Sequence, residues 1–317
     1  MLGYQSTAVW PDHGAGDLSV SCPVTREGFN GAESAPLEAA WRALLAARAA
    51  GPERLGAAVD RDGGVVEAAP EGGDCMLHCG PQGWTAAPGI TDVEAALFDL
   101  YLPVCNATAS RPLTVAHLGQ SLDGYIATDS GDSYYVTGPE NVLHLHRMRA
   151  LCGAVVVGAE TISLDDPRLT VRRVPGPNPM RVVLDPRRRL EAGFRVFAGG
   201  EAPTLLICAE DRCEPGEARH GQAEIVGIPA PAGRLALGTL LDVLHARGIY
   251  AVFVEGGGAT VSHFLQADLL DRLQIAVAPL VTGHGRPGIR LVARHHLGEC
   301  LRPAHKLFRM GGDMLFD

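Results

Sequence analysis

The segment VFVEGGGATVSHF, residues 252–264, combines residue types that can bind an anion. An apolar run with strand character ends in Glu255, three glycines follow, and a helical apolar pattern begins at once. A strand that turns through glycines into a helix leaves N–H groups unpaired at the positive end of the helix dipole, where phosphates bind. The glycines predict a phosphate site at residues 256–258, and tight backbone packing is the alternative explanation.

Polar loops elsewhere in the chain provide a second group of candidates. They read SLDG at 121–124, GDSYYVTG at 131–138 and AETISLDDPRLTVR at 159–172, and each adjoins an apolar strand or helix. Proteins with parallel sheets place their ligands in loops at the carboxyl ends of strands. We therefore expect these loops to converge on one site.

The elements that carry these loops alternate between strand and helix patterns from about residue 113 onward. This alternation predicts an α/β fold with a mostly parallel sheet flanked by helices. The final residues, HKLFRMGGDMLFD, predict a C-terminal hairpin at a sheet edge. Helical patterns at 36–51 and 91–102, with short strands between them, predict a small separate α+β domain at 1–105, followed by a second domain at 111–317.

Charge and composition narrow the classes of partner. Residues 1–110 hold 14 acidic and 5 basic side chains, whereas residues 111–317 hold 22 of each, which argues against nucleic acid. The sequence shows no signal-peptide pattern and no apolar run of membrane-spanning length, so we expect a cytoplasmic protein without a membrane partner. The eight cysteines are expected to be reduced, and CMLHC at 75–79 lacks a second ligand pair, so no metal is predicted.

Taken in order, the motifs resemble a known family. The spacing S-L-D-G, G-[DE]-S, T-G, R-A, T-x-x-x-D-D-P-x-L-T-x-R and V-E-G-G is similar to the reductase domain of riboflavin biosynthesis. That domain is the C-terminal half of a bifunctional pyrimidine deaminase/reductase and has a dihydrofolate-reductase-like fold. The resemblance covers residues 111–317, and it implies NADPH-dependent reduction of a phosphoribosylaminopyrimidine at ribose C1′, commonly in a homodimer.

The resemblance also implies site residues, each at a position that matches a family motif. The implied cofactor-binding residues are Gly119, Tyr135, Thr161, Asp165, Gly257, Gly258, Ala259 and Thr260. The implied substrate-binding residues are Ser133, Arg149, Leu169, Arg172 and Glu255. Asp165 lies between the two ligands, and Asp165 and Glu255 are the predicted catalytic pair.

Elementary chemistry agrees with several of these roles and leaves alternatives open. Guanidinium groups at Arg149 and Arg172 suit a 5′-phosphate, although either could form a surface ion pair. Asp165 could hold or relay the proton that hydride addition to an imine requires, and a simple turn before proline is the alternative. Glu255 suits the amino and ring N–H groups of a pyrimidine, and a buried structural hydrogen bond is the alternative.

Several positions depart from the family or stay ambiguous. His117 stands where the family usually has lysine, and Tyr135 where it more often has tryptophan. The arginines at 187–189 either meet a 2′-phosphate or form a solvated turn. His144 and His146 are two residues apart on a predicted helix, and we expect them on the surface.

The predicted function is thus reduction of a 5-amino-6-(5-phosphoribosylamino)uracil-like pyrimidine with NADPH. The first 110 residues lack the H-x-E and P-C-x-x-C signature of zinc deaminases, so no deamination is expected. The alternatives are a reductase of the same fold that acts on another pyrimidine or pterin-like ring, and a nucleotide-binding sensor without catalysis.

Overall fold

The computed structural model describes residues 35–67, 75–134 and 136–317. Its helices are α1 (Ala35–Ala50), α2 (Asp92–Cys105), α3 (Pro139–Leu151), α4 (Ala159–Asp165), α5 (Arg195–Ala198), α6 (Leu237–His245) and α7 (Gly258–Gln266). Its strands are β1 (Ala58–Asp60), β2 (Val65–Val66), β3 (Cys75–Gly80), β4 (Gly83–Ala86), β5 (Leu113–Ser121), β6 (Tyr125–Thr128), β7 (Ala154–Gly158), β8 (Met180–Leu184), β9 (Thr204–Ala209), β10 (Arg219–His220), β11 (Ala223–Ile228), β12 (Ala251–Val254), β13 (Arg272–Ala278), β14 (Gly285–Pro287), β15 (Leu307–Met310) and β16 (Asp313–Phe316).

A large mixed sheet forms the framework, with strand order β10-β11-β9-β8-β7-β12-β5-β13-β16-β15. The strands from β11 to β13 in this order run parallel to one another. At the two edges, β10 pairs antiparallel with β11, β16 with β13, and β15 with β16. The predicted C-terminal hairpin is present as β15 and β16. A smaller sheet, β2-β1-β3-β4, belongs to the N-terminal segment, and β14 pairs with β6. No helix in the described ranges is both long and apolar enough to cross a bilayer.

The helix boundaries follow local signals. Thr91 caps α2 through a capping box in which its hydroxyl accepts from the Glu94 N–H and the Glu94 carboxylate accepts from the Thr91 N–H at 2.7 Å. Helix α7 ends at Gln266, two residues beyond the segment 252–264 in which its apolar pattern begins. Asp268, at φ +56°, breaks the helix, and the chain re-enters the sheet at Arg272.

The N-terminal helices share a core with the large sheet. One cluster of buried side chains joins Trp41 of α1 and Leu97 of α2 to Met148 of α3 and to Val115 and Phe253 of the sheet. The indole Nε1 of Trp41 also donates to the Pro175 carbonyl at 3.1 Å. The two segments are therefore not packed independently, and a domain boundary between residues 105 and 111 stays a prediction.

The prediction that His144 and His146 lie on the surface is wrong. Their exposed fractions are 1% and 3%, because α3 packs against α1 and α2 on one side and against β12 on the other. A helix between two layers buries residues on opposite faces, so neighbours two apart are both enclosed. Burial lowers the pKa of His146 to about 4, lowers that of His144 well below its usual value, and lowers that of the buried His117 to about 3.

We predict that Leu97→Ala destabilises the whole chain by about 2–5 kcal/mol, because it opens a cavity in the shared core. Urea denaturation followed by circular dichroism measures the loss. Leu55→Ala is the matched control, since Leu55 is 72% exposed whereas Leu97 is fully buried. Two separate unfolding transitions, of which Leu97→Ala shifts only one, would contradict a common core.

The buried histidines predict a loss of stability as pH falls. Their folded pKa values lie below the ordinary value of 6.5, so between pH 7 and pH 5 only the unfolded chain takes up these protons. The free energy of unfolding should fall by about 2 kcal/mol per buried histidine over that interval. His117→Phe should reduce the fall by about that amount, whereas His295→Phe, at an exposed position, should not. Parallel stability curves for all three proteins would refute the assignment.

Candidate active site

A cleft of about 1010 Å³ opens where β5, β7, β8 and β12 end. This volume is at the upper end of the range of ligand pockets, roughly 300–1,000 Å³, and leaves room for two ligands. The cleft brings together every predicted site residue that the structure describes: Gly119, Ser133, Arg149, Thr161, Asp165, Leu169, Arg172, Glu255, Gly257, Gly258, Ala259 and Thr260. Tyr135 lies outside the described residues.

The glycine turn after β12 has separate structural reasons for two of its glycines. Gly256 has φ +99°, a conformation that side chains other than glycine's rarely adopt. A Cβ on Gly258 would lie 2.2 Å from the Gly288 carbonyl oxygen, so close backbone packing requires glycine there. This turn therefore combines tight backbone packing, which was the alternative explanation for its glycines, with an open helix N-terminus that could bind a phosphate.

The amides of this turn differ in their availability. The Gly257 N–H donates to the Thr161 hydroxyl at 3.1 Å, so it is already occupied. Within the described ranges, the N–H groups of Gly258 and Ala259 at the start of α7 have no protein acceptor. An anion at this turn would meet the amides of Gly258 and Ala259, and Thr161 holds the turn in place from α4.

The two aspartates at the end of α4 have different environments. Asp166 adopts a left-handed conformation at φ +39°, and its carboxylate accepts from the Arg195 backbone N–H at 2.8 Å. Asp166 thus makes the turn that was the alternative explanation for this pair. The Asp165 carboxylate has no hydrogen-bond partner among the described residues, and burial raises its pKa, opposed by nearby Arg286. Asp165 is the carboxyl group that faces the cleft without a structural task.

Arg149 and Glu255 form a buried ion pair across the cleft floor. The Arg149 Nε donates to one Glu255 oxygen at 2.6 Å, and its Nη2 donates to the other. Both side chains are about one-tenth exposed. Arg149 also donates through Nη1 to the Thr170 carbonyl at 3.1 Å. The structure therefore favours the ion-pair alternative for Arg149, although a buried pair rather than the surface pair considered for it.

Arg172 is better placed to meet an anion. Among the described residues, its guanidinium donates only through Nη1, to the carbonyl and the hydroxyl of Thr170 at 3.2 and 2.8 Å. Desolvation lowers its pKa, and the neighbouring positive charges of Arg149 and Arg168 lower it further. An accumulated positive charge of this kind is relieved by a bound phosphate.

Leu169 has a backbone conformation that is rare for its residue type. It is 1% exposed at φ +56°, between Arg168 and Thr170. Strained backbone of this kind tends to occur at functional sites, where the surroundings over-determine it. Here the strained turn presents Thr170 to both Arg149 and Arg172. Ser133 lies on the cleft wall in the loop before α3, and its hydroxyl has no hydrogen-bond partner among the residues that the structure describes.

The basic turn after β8 is divided between two roles. Arg188 pairs with Glu217 at 2.7 Å, and Asp185 is fully buried and accepts from the Leu190 N–H at 2.9 Å. Arg189 faces the cleft, as does Arg234 from the loop before α6. Of the predicted cluster at 187–189, Arg189 is thus the member that lies beside the ligand space.

Sequence reasoning did not assign His146 to the site. The Nδ1 atom of this buried α3 residue accepts a hydrogen bond from the Arg172 backbone N–H at 3.0 Å. His146 therefore holds in place the backbone of Arg172, the candidate phosphate-binding residue. Helical spacing alone gave no signal for this contact. His117, identified from the sequence only as a departure, lines the cleft floor.

A dinucleotide fits the residues present at one end of the cleft. Gly158 has no room for a side chain, because a Cβ there would lie 2.5 Å from the Thr260 hydroxyl oxygen. With the free amides of Gly258 and Ala259, this gives a smooth backbone surface with exposed donors, which is the chemistry that a diphosphate needs.

Comparison with known proteins agrees with this geometry. The family model of the RibD C-terminal domain matches residues 112–296. A Methanothermobacter thermautotrophicus protein named 2,5-diamino-6-ribosylamino-4(3H)-pyrimidinone 5′-phosphate reductase is 38% identical over 192 residues, which are 60% of this chain and 87% of the relative. Riboflavin biosynthesis protein RibD of Aquifex aeolicus is 32% identical over 56% of this chain, but the match spans only 49% of that relative.

The solved structures give the same answer for the fold. The crystal structure of a Thermotoga maritima deaminase/5-amino-6-(5-phosphoribosylamino)uracil reductase has a TM-score of 0.54 and 26% identity, and the match covers 70% of this chain and 61% of that one. The predicted dihydrofolate-reductase-like α/β fold and the predicted family are therefore confirmed. By its sequence and its fold, this chain belongs to the RibD C-terminal domain family.

Proposed function

We propose that the chain is a reductase that converts the ribosylamino group of a pyrimidine 5′-phosphate into a ribitylamino group. One observation carries the proposal: a single cleft brings together the N-terminus of α7, the Asp165 carboxyl group and the Arg172 guanidinium, and the first two have no hydrogen-bond partner within the described ranges. Relatives from Methanothermobacter and Archaeoglobus, matched over 87% and 83% of their lengths, are named for the 2,5-diamino pyrimidinone substrate. That compound is the first to test, with the uracil form as the second.

The residues divide the chemistry between them. The amides of Gly258 and Ala259 would hold the diphosphate of a reduced nicotinamide dinucleotide, which when bound would supply hydride for C1′ of the ring-opened sugar. Arg172 holds the 5′-phosphate, and Glu255, oriented by Arg149, accepts from N–H groups at the pyrimidine edge. Asp165, whose pKa is raised by desolvation, can donate a proton to the imine nitrogen, which ends as a neutral N–H once hydride has added to C1′.

We propose NADPH as the reductant. Arg189 and Arg234 line the cleft and make no side-chain hydrogen bond within the described part of the chain, and arginine suits the additional 2′-phosphate that distinguishes NADPH from NADH. We also propose a cytoplasmic homodimer. Strand β15 forms one edge of the large sheet and, within the described residues, pairs with a strand on one side alone, so its other side can pair with a second copy, which sedimentation velocity would detect.

Turnover tests the proposed function directly. We expect the full chain to oxidise NADPH in the presence of 2,5-diamino-6-ribosylamino-4(3H)-pyrimidinone 5′-phosphate, with a higher kcat/KM than for NADH, followed by nicotinamide absorbance. Asp165→Asn should lower kcat by about 10²-fold or more. Asp166→Asn is the matched control, since Asp166 makes structural contacts, and it should leave kcat nearly unchanged.

Other outcomes of this assay identify the alternatives. Ligand binding without turnover in the wild-type chain would indicate a nucleotide-binding sensor. Turnover of a different pyrimidine or pterin-like ring, together with no turnover of either named substrate, would indicate another reductase of the same fold.

The two arginines predict different kinetic effects. Arg172→Ala should raise the KM for the phosphorylated substrate by about 10- to 100-fold while the melting temperature stays unchanged. Arg149→Ala should instead destabilise the fold by about 3–5 kcal/mol, because it leaves Glu255 buried without its partner. Steady-state kinetics and thermal denaturation on both variants make the comparison, and Arg187→Ala, outside the cleft, is the control. An unchanged KM for Arg172→Ala would remove Arg172 from the phosphate site.

A further inference from the structure

Two cysteine thiols lie in contact at the end of β9, close to the cleft. Cys208 is a fully buried residue of β9, and Cys213 is partly buried and follows a short 3₁₀ turn at Glu210–Arg212. That turn brings the chain back toward β9, so the two Sγ atoms are 3.6 Å apart. Two thiols in contact can be joined by oxidation, and the proposed reductase chemistry uses neither of them.

The fold leaves room for the Cys213 thiol. Gly227 of β11 is the residue opposite Cys208 in the parallel register. A Cβ at Gly227 would lie 2.6 Å from the Cys213 Sγ, so a side chain there would displace this sulfur. The lack of a side chain at Gly227 therefore lets the Cys213 thiol reach Cys208.

The two thiols have different environments. Burial raises the pKa of Cys208 to about 12, so this thiol is protonated at neutral pH. The Arg188 guanidinium, which pairs with Glu217, also interacts electrostatically with both sulfurs, and a neighbouring positive charge favours a thiolate. Cys213 is less buried than Cys208, so a small oxidant reaches it more easily. Cys213 is therefore the thiol that reacts first, and Cys208 is the one that completes a disulfide.

The dithiol is connected to the turn after β8, which lines the cleft. The Ala209 N–H donates to the Pro186 carbonyl at 3.3 Å, and the Arg188 Nη1 donates to the Arg212 carbonyl at 3.3 Å. Both contacts involve residues directly next to the two cysteines in the sequence. Pro186 and Arg189 line the cleft. The segment that a disulfide would close therefore holds the turn that carries Arg189.

We propose that Cys208 and Cys213 form a redox-active dithiol, which a peroxide converts into an intramolecular disulfide, and that this disulfide displaces the turn that carries Arg189. The two sulfurs must approach by about 1.5 Å to reach a bond length of about 2.05 Å. Because Arg212 adjoins Cys213, this movement shifts the Arg212 carbonyl and the Arg188 side chain that donates to it. The thiol chemistry is independent of the proposed function, whereas the effect on Arg189 rests on it.

The oxidation has two steps, and it balances with peroxide as the oxidant. The Cys213 sulfur attacks one oxygen of hydrogen peroxide, the O–O bond breaks, and the products are the sulfenic acid of Cys213 and one water. The Cys208 sulfur then attacks the sulfenic sulfur, the S–O bond breaks, and the hydroxyl leaves with the Cys208 proton as a second water. Two electrons thus pass from the two thiols to the peroxide. A small dithiol reverses the reaction by thiol–disulfide exchange.

Peptide mass spectrometry tests the disulfide. After the reduced full chain is treated with hydrogen peroxide and its free thiols are alkylated, we expect a peptide that joins Cys208 to Cys213 and that dithiothreitol separates. Cys208→Ser should instead leave a sulfenic acid at Cys213, which dimedone traps, and Cys213→Ser should form neither product. Cys300→Ser removes an exposed thiol elsewhere and should form the disulfide as the wild type does. Peroxide treatment that leaves the two thiols free, or oxidises them without joining them, would overturn the proposal.

NADPH binding tests the effect on the turn. Nicotinamide fluorescence measures the dissociation constant without turnover. Oxidation should raise this constant about tenfold for NADPH, because Arg189 is displaced from the proposed position of the 2′-phosphate, and should change it little for NADH. Dithiothreitol should restore the affinity for NADPH, and Cys213→Ser should keep its affinity after the same peroxide treatment.

The remaining outcomes separate this proposal from the proposed function. An oxidised wild-type chain with an unchanged affinity for NADPH would refute the displacement of the turn. An equal loss of affinity in Cys213→Ser would assign the effect to another oxidised group and would also refute it. A chain that binds NADPH in the expected redox-dependent way, but does not turn over either pyrimidine phosphate, would refute the reductase function and keep the dithiol.

Discussion

The buried ion pair between Arg149 and Glu255 is the contact on which the arrangement of the cleft depends. It joins α3 to the end of β12, directly before the glycine turn, and Arg149 extends the connection to Thr170 in the strained segment after α4. Removing one partner of a buried pair leaves a desolvated charge, so the two side chains stabilise each other's positions. The pair thereby fixes three separate stretches of chain around one space.

This constraint divides the cleft into two regions with different chemistry. Toward α7 the wall includes the backbone of the glycine turn, and within the described residues the Gly258 and Ala259 N–H groups have no acceptor. Toward α3 the walls carry Glu255, Arg172 and His117. Asp165 lies at the end of α4 and lines the cleft, and its raised pKa suits a group that exchanges a proton. The same parallel topology that gathers the strand ends also separates these regions.

Much of the fold could be predicted from the sequence, because local patterns decide it. The Thr91 cap, the alternation of strands and helices, and the C-terminal hairpin each depend on a few adjacent residues. The order of the motifs in the sequence identified the candidate site residues, but it did not show which of these side chains would pair with each other. Arg149 and Glu255 are 106 positions apart, and nothing in the spacing shows that one guanidinium satisfies the other residue's carboxylate. The burial of His144 and His146 was missed because periodicity describes one buried face, whereas α3 has two.

The N-terminal helices explain why α3 has two buried faces, and this has consequences for the chemistry of the cleft. By covering α3 they exclude water from His144, so its ring stays uncharged and accepts from Tyr101. An α3 exposed on that side would let His144 titrate near neutral pH and place a variable charge under the substrate. Covering α3 with Trp41, Leu97 and Tyr101 therefore keeps the buried histidine of α3 uncharged, so the fixed charges that line the cleft are those of the Arg149–Glu255 pair, Arg172 and the surrounding arginines.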